Sequence, residues 1–139
     1  MILLVTHEVV FAKQMASLLE AEGYSVMLAF QGSEVPTLVS QRNPRLIVLN
    51  LYLQNPSGLE VLRQLRVQGY AGKIIVLAGY STSTEIPRAL FFGVDQVLGQ
   101  PVSLNHLVSA VRVAIGPPVT NEDPVGGEIE SYAHLTNIP

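Results

Sequence analysis

The sequence predicts an α/β protein, a single doubly wound domain whose five-stranded parallel sheet carries helices on both faces. Three observations lead to this prediction. Short aliphatic runs alternate with longer segments that carry apolar residues at helical spacing. The aliphatic runs lack polar alternation, as strands do when helices cover both of their faces. Strand and helix alternate five times, which is the order of parallel strands joined by helical crossovers.

The five predicted strands are short and end at polar, glycine or proline residues. Their length and aliphatic content indicate strands of a sheet that is covered on both faces. The predicted strands are residues 2–5, 24–30, 46–49, 74–77 and 96–99.

The predicted helices are recognised by their apolar spacing and their end signals. The first has a stripe formed by Phe11, Met15, Leu18 and Leu19, and it ends before Gly23. Ser33 is expected to cap the second helix, which ends at Asn43-Pro44. The remaining three helices are expected between Leu59 and Gly69, over residues 85–92 and over residues 104–115.

The composition excludes several classes of function. Charged residues make up 14% of the 139 residues, against roughly 25% in a typical soluble domain. No basic stripe is present, so this chain alone is not expected to bind nucleic acid. There is no cysteine, and no apolar stretch approaches the roughly 20 residues that span a bilayer. We therefore expect a cytoplasmic protein without membrane contact.

The last part of the chain differs from the rest. Residues 116–139 contain several Pro and Gly residues and four acidic residues, with no Lys or Arg. Such a composition is typical of flexible linkers. We therefore expect a folded domain over residues 1–115, followed by a flexible acidic tail or linker over residues 116–139.

In an open parallel sheet, ligands bind at the carboxyl ends of the strands. The residues there carry a resemblance to CheY-like receiver domains of response regulators, over the segments ILLVTHE, GYSVMLAFQGSE, NPRLIVLNL, GLEVLRQLR, KIIVLAGYS and ALFFGVDQVLGQP. The resemblance covers residues 1–115. It implies a flavodoxin-like fold with strand order 2-1-3-4-5, and a cis peptide bond between Gln100 and Pro101.

This resemblance implies a phosphorylation pocket, and the sequence departs from it at every chemical position. Where the family has an acidic pair, this chain has Thr6 and His7, and where the family has its phosphorylated Asp, this chain has Asn50. Ala78 replaces the family's hydroxyl residue and Gln100 replaces its Lys; these five residues are here called the pocket positions. Val97 replaces an aromatic switch residue of the family.

These replacements predict the loss of phosphotransfer. The carboxamide of Asn50 is a poor nucleophile, because its oxygen carries no full charge. Mg²⁺ prefers carboxylate and water oxygens, which Thr6 and His7 do not supply. Neutral Gln100 offers no positive charge to a phosphoryl group, and Ala78 offers no hydrogen bond. We therefore expect no Mg²⁺, no other metal, no cofactor and no enzymatic activity.

The fourth helix and fifth strand supply a candidate interface. Phe91 and Phe92 are adjacent, so both cannot face the core. An exposed apolar cluster there would mark a contact surface, and the alternative is one core and one surface phenylalanine. The residues of this candidate interface are Phe91, Phe92, Val94, Asp95, Val97 and Arg112.

The sequence leads to one function and two alternatives. The leading hypothesis is a phosphorylation-independent pseudo-receiver, which binds a protein partner or forms a homodimer in signal transduction. The first alternative is a sensor that binds a small ligand or metal through His7, Asn50 and Gln100. The second is a phospho-receiver with a displaced acceptor, for which Glu8 is the nearby carboxylate.

Overall fold

The computed structural model describes residues 1–119 of the chain. The strands are β1 Ile2–Val5, β2 Val26–Ala29, β3 Leu46–Asn50, β4 Lys73–Ala78 and β5 Gln96–Gly99. The helices are α1 Val9–Ala21, α2 Val35–Arg42, α3 Gly58–Gln68, α4 Ile86–Phe91 and α5 Leu104–Ile115. Most of the predicted tail, from residue 120 onward, lies outside the described residues.

The five strands form one parallel sheet in the order β2-β1-β3-β4-β5. The predicted fold class and strand order are therefore confirmed. The order reverses direction between β1 and β3, where Val5 pairs with Leu49 in register. The loops that follow β1 and β3 therefore start side by side at the carboxyl edge of the sheet and lead to opposite faces. Such folds bind ligands in the crevice between these loops.

Helices cover both faces of the sheet and form two apolar cores. One core packs α1 and α5 against the side chains of one face, including Leu4, Val48 and Leu77. The other packs α2, α3 and α4 against the opposite face, including Leu49 and Val76. This arrangement explains the uninterrupted aliphatic runs, because every side chain of β1 and β3 is buried.

Two predicted helix starts differ from the structure. Ser33 does not cap the second helix, because residues Gly32–Glu34 form a 3₁₀ turn before α2 begins at Val35. The fourth helix is predicted over 85–92 but begins only at Ile86, after a 3₁₀ segment over Tyr80–Glu85. In both cases a proline in the first turn, Pro36 or Pro87, marks the actual start.

The buried stripe of α1 is also displaced from the predicted one. Ala12 and Ala16 are buried together with Met15 and Leu19, whereas Phe11 only packs at the edge of this core. The small alanines let the helix approach the sheet closely, so the larger Phe11 lies beside the contact rather than within it. Within residues 1–119, no helix is both long and apolar enough to cross a membrane.

Candidate functional site

Asn50, the last residue of β3, lies at the centre of the carboxyl edge with 1% of its surface exposed. Its side-chain Nδ2 donates to Thr6 Oγ1 at 3.2 Å and to Glu8 Oε2 at 3.4 Å. Its Oδ1 accepts a hydrogen bond of 2.9 Å from the backbone N–H of Tyr52. Both ends of the carboxamide are thus used within the protein.

The loop after β1 supplies the partners of Asn50. Thr6 is buried, and its Oγ1 also accepts from the backbone N–H of Glu8 at 3.2 Å. This bond turns the chain at the start of α1 and directs the Glu8 carboxylate towards the Asn50 amide. The arrangement suits a neutral amide, because its N–H group can donate to both oxygen acceptors.

The loop after β4 is closed by a threonine that the sequence analysis did not single out. Ala78 is buried and has no hydroxyl, but the hydroxyl of Thr82 is close by. Thr82 Oγ1 accepts from the backbone N–H of Gly79 at 3.0 Å and donates to the Gly79 carbonyl at 3.3 Å. This closed turn holds the start of the 3₁₀ segment against the end of β4.

Gln100 follows β5 and is half-buried beside Gly79. Its backbone N–H donates to the carbonyl of Ala78 at 2.9 Å. The Gln100-Pro101 peptide bond is cis, as the resemblance implied, and a second cis bond joins Asn55 and Pro56. An ideal Cβ placed on Gly79 would lie 3.6 Å from Gln100 Oε1, so this side chain lies against the Gly79 backbone.

The pocket positions do not share one cavity. His7 lines a cleft towards the loops after β2 and β3, beside Tyr52. Gln100 lines a separate cleft of about 440 Å³, together with Glu8 and Tyr80. Among the described residues, Asn50 lines neither cleft. The residues that the ligand-sensor alternative combined, His7, Asn50 and Gln100, are therefore distributed over different surfaces.

The chemistry available to bind a cation here is limited. Within residues 1–119, no three His, Cys, Asp or Glu side chains are grouped closely enough to hold a metal ion. Glu8 is the carboxylate at the centre of the site, and it already accepts from Asn50. The donors that remain are an imidazole, a hydroxyl and carboxamides, a set that differs from the carboxylate-rich sites of Mg²⁺.

The two adjacent phenylalanines at the end of α4 have different environments. Phe91 is 86% exposed, next to Leu90, which is also exposed. Phe92 is half-buried and packs against the α2-α3-α4 core, as do Val94 and Val97. The rings of Phe91 and Phe92 meet edge to face, with centroids 5.8 Å apart. The exposed apolar surface is thus centred on Leu90 and Phe91.

The two charged residues of the candidate interface have partners within the chain. Asp95 Oδ2 accepts from the backbone N–H of Ile74 at 2.8 Å, and Oδ1 lies 3.6 Å from Lys73 Nζ. Arg112 donates to Glu22 Oε1 at 2.7 Å. Hydrogen bonds with Tyr24 and Glu22 raise the pKa of Arg112. Both charges are therefore partly neutralised by contacts within the chain.

Arg66 of α3 binds the end of α4, a contact that sequence patterns did not predict. Its guanidinium donates to the carbonyls of Phe92 at 2.6 Å, Tyr70 at 2.7 Å and Gly93 at 2.9 Å. The last carbonyls of a helix have no partner within that helix, so a cation there satisfies them. Arg66 thereby fixes the position of α4 relative to α3.

Comparisons with known proteins agree with this fold. The family model described as response regulator receiver domain matches residues 2–112. The chain is 27% identical over 140 residues to the photosynthetic apparatus regulatory protein RegA of Rhodobacter capsulatus, covering 99% of this chain and 75% of RegA. It is 34% identical over 106 residues to response regulator MprA of Mycobacterium sp. strain KMS, covering 76% of this chain and 46% of MprA.

Solved structures share the fold at low sequence identity. The receiver domain of NtrX from Brucella abortus superposes with a TM-score of 0.76 at 24% identity, covering 83% of this chain and 98% of that one. A CheY-like receiver domain protein from Methanospirillum hungatei gives 0.75 at 23% identity, covering 81% and 90%. The chain spans about half the length of the MprA relatives that it matches.

Proposed function

The chain belongs to the response regulator receiver domain family, and from this premise we propose that it is a pseudo-receiver. It acts in two-component signal transduction as a protein-interaction module that works without phosphorylation and without catalysis. Its partner is another signalling protein or a second copy of the same chain. The observation that carries this proposal is the hydrogen bonding of Asn50.

Asn50 stands where the family has its phospho-acceptor, and both ends of its side-chain amide form hydrogen bonds within the protein. Nδ2 donates to Thr6 and Glu8, while Oδ1 accepts from Tyr52. A buried amide with all these partners is stable as it is, because breaking them leaves polar groups unsatisfied. It also lacks the charged oxygen that attack on phosphorus requires.

The surroundings of Asn50 oppose the transfer as well. Phosphoryl transfer needs positive charge near the transferred oxygens, which receiver domains obtain from Mg²⁺ and a lysine. Gln100 is neutral, and Glu8 is the only carboxylate that contacts Asn50 within the described residues. The Glu8 carboxylate, which contacts Asn50, repels an incoming phosphate, and Gln100 supplies no positive charge to offset this repulsion.

The elements that would transmit a switch are held by internal contacts. Thr82 closes the loop after β4, and Arg66 binds the carbonyls at the end of α4. Asp95 accepts from Ile74 and fixes the start of β5. A surface held in this way is permanently ready for binding, so the free energy for any change has to come from the partner.

The docking surface in this proposal is centred on Phe91. Its ring is almost fully exposed, whereas the neighbouring Phe92 packs into the core. Exposed aromatic side chains beside other apolar groups are the usual anchors of protein interfaces. Because Asp95 and Arg112 have partners within the chain, the contact at this surface is mainly apolar.

Intact mass spectrometry after incubation with Mg²⁺ and acetyl phosphate tests the proposal. We expect no phosphoryl adduct on the native chain. The matched control carries Thr6→Asp, His7→Asp, Asn50→Asp, Ala78→Thr and Gln100→Lys, which restores the family's residues, and it should acquire one adduct. An adduct on the native chain would overturn the proposal.

The same experiment addresses the displaced-acceptor alternative. If the native chain gains an adduct that Glu8→Gln removes, Glu8 is the acceptor and the chain is a working phospho-receiver. If the adduct persists in Glu8→Gln, the acceptor lies elsewhere. Because Glu8 is exposed apart from its contact with Asn50, the variant is expected to fold normally.

A further inference from the structure

A second feature of the carboxyl edge is unused by the proposed function. It is the cleft that His7 lines, of about 630 Å³, between the loops that follow β1, β2 and β3. Small-molecule sites in proteins have volumes of roughly 300–1,000 Å³. The lining residues that bear on ligand binding are His7, Tyr52, Gln54 and Asn55.

Aromatic rings from two loops, those after β1 and β3, line this cleft. His7 and Tyr52 meet edge to face, with centroids 5.6 Å apart and planes inclined by 64°. Phe30 also borders the cleft, but its side chain packs against the α1–α5 core. A flat ligand that stacks on one ring of such a pair meets the edge of the other, which is the favourable arrangement for aromatic groups.

Carboxamides provide the polar contacts of the same cleft. Gln54 and Asn55 are exposed, and within residues 1–119 no side-chain hydrogen bond occupies either amide. Each carboxamide presents a donor and an acceptor in one plane. This pattern matches the edge of adenine, to which Asn and Gln bind through two hydrogen bonds.

The cleft is also free of strong charge. Among the described lining residues there is no Asp, Glu, Lys or Arg. A phosphate group would therefore find no cation, and an ammonium group would find no carboxylate. The combination of stacking surfaces, free carboxamides and a neutral lining selects a flat, uncharged heterocycle over an anionic nucleotide or a cationic ligand.

We propose that this cleft binds the base of an uncharged purine nucleoside. The base stacks on the ring of Tyr52, and the amides of Gln54 and Asn55 bind its polar edge. The site lies beside the pocket positions and uses only His7 among them. It does not depend on whether the chain can be phosphorylated.

An NMR titration of the ¹⁵N-labelled chain with adenosine tests this site. Adenosine should shift the side-chain amide signals of Gln54 and Asn55 saturably, with a dissociation constant on the order of 1 mM for so open a site. Adenosine monophosphate should bind no more tightly than adenosine, because the lining offers no cation. D-ribose should cause no saturable shift.

Two tyrosine variants locate the binding. Tyr52→Ala should weaken adenosine binding by about tenfold, the effect of losing one stacking contact. Tyr80→Ala is the matched control, since Tyr80 is fully exposed and lies outside this cleft, and it should bind as the native chain does. Dispersed amide spectra of both variants verify that they fold.

Three outcomes would overturn the inference. The first is the absence of a saturable shift with adenosine up to its solubility limit. The second is an equal response to D-ribose, which would assign the cleft to carbohydrates. The third is undiminished binding by Tyr52→Ala. None of these outcomes affects the mass-spectrometric test of phosphorylation, so the two proposals are tested independently.

Discussion

The amide of Asn50 donates to the hydroxyl of Thr6 across 3.2 Å, joining the carboxyl ends of the adjacent strands β1 and β3. Both residues are buried, and in our proposal they occupy the place where a receiver domain receives its phosphoryl group. Two neutral side chains satisfy each other there, instead of carboxylates that would need a metal ion to lie so close. The pocket is thereby stable without a ligand.

Replacing Asn50 by Asp alone should destabilise the protein rather than restore activity. The new carboxylate would be buried and would face the Glu8 carboxylate, which accepts from Nδ2 at 3.4 Å in the native chain. We expect the free energy of unfolding to fall by about 2 kcal/mol at neutral pH. Denaturant unfolding measures this loss.

The pH dependence of the same variant has a defined sign. Burial and Glu8 raise the pKa of the introduced carboxyl in the folded state above its unfolded value. The destabilisation should therefore be largest at neutral pH and should shrink as the pH falls and the carboxyl becomes protonated. Asn105→Asp, at an exposed position of α5, should lack this behaviour. If Asn50→Asp lowered the free energy of unfolding equally at every pH, the raised pKa that we assign to the new carboxyl would be contradicted.

Removing the guanidinium of Arg66 should loosen α4. Arg66→Met keeps the apolar stem but loses three hydrogen bonds to backbone carbonyls, at a cost of about 2 kcal/mol in the free energy of unfolding. Hydrogen exchange should accelerate at Phe92 and Gly93, whose N–H groups bond to the last turn of α4.

The control for this prediction lies one turn away on the same helix. Arg63 is exposed, and within residues 1–119 its side chain pairs with Glu60, three residues before it. The hydrogen bond from Arg63 lowers the pKa of Glu60, but such surface pairs add little stability. Arg63→Met should change the free energy of unfolding by less than about 0.5 kcal/mol. Equal effects of the two variants would refute the role given to Arg66.

The adjacent phenylalanines should respond differently to the same substitution. Phe92→Ser removes a ring packed against the core, and we expect a loss of about 2 kcal/mol in the free energy of unfolding. Phe91→Ser removes an exposed ring and should be neutral within about 0.5 kcal/mol. Thermal and denaturant unfolding distinguish them. Destabilisation by Phe91→Ser would show that its ring is not free for a partner.

Tyr70 should make the protein sensitive to alkali. Burial raises the pKa of Tyr70 above the ordinary value of 10.0, and its hydroxyl donates to the carbonyl of Pro44 at 2.9 Å. The folded state thus keeps a proton that the unfolded chain loses. Stability should be complete below pH 10 and should decline as the pH rises above it.

Tyr70→Phe separates this effect from packing. The variant loses the hydrogen bond to Pro44, at a cost of about 1 kcal/mol at neutral pH, but it has no proton to lose. Its free energy of unfolding should therefore decline less between pH 9 and pH 12 than that of the native chain. Parallel declines would mean that another group controls the alkaline transition.

The sequence predicted most of the fold because hydrophobic spacing and strand length determine it. β1, β5 and α5 have the predicted bounds, and the strand order is the predicted one. The 3₁₀ turns that precede α2 and α4 were not predicted, because such turns have no apolar period. Their geometry depends on tertiary hydrogen bonds such as that from Gly79 to Thr82.

The candidate site was predicted less completely. Thr6 and Asn50 were expected at the carboxyl edge, and the structure joins them. The roles of Glu8 and Tyr52 depend on the direction of their side chain and backbone, which no local pattern encodes. The Arg66 contact joins residues that are 26 and 27 positions apart, and sequence spacing alone gives no signal for such a contact.

The most direct test of the pseudo-receiver proposal is an NMR titration with Mg²⁺, followed by Mg²⁺ with beryllofluoride, which mimics an aspartyl phosphate. We predict that the backbone amide signals of Asn50, Ala78 and Gln100 do not move, because a pseudo-receiver pocket offers neither the metal ligands nor the acceptor. Saturable shifts at these residues that extend to Val97 and Phe91 would contradict the proposal and would indicate a working phosphorylation switch.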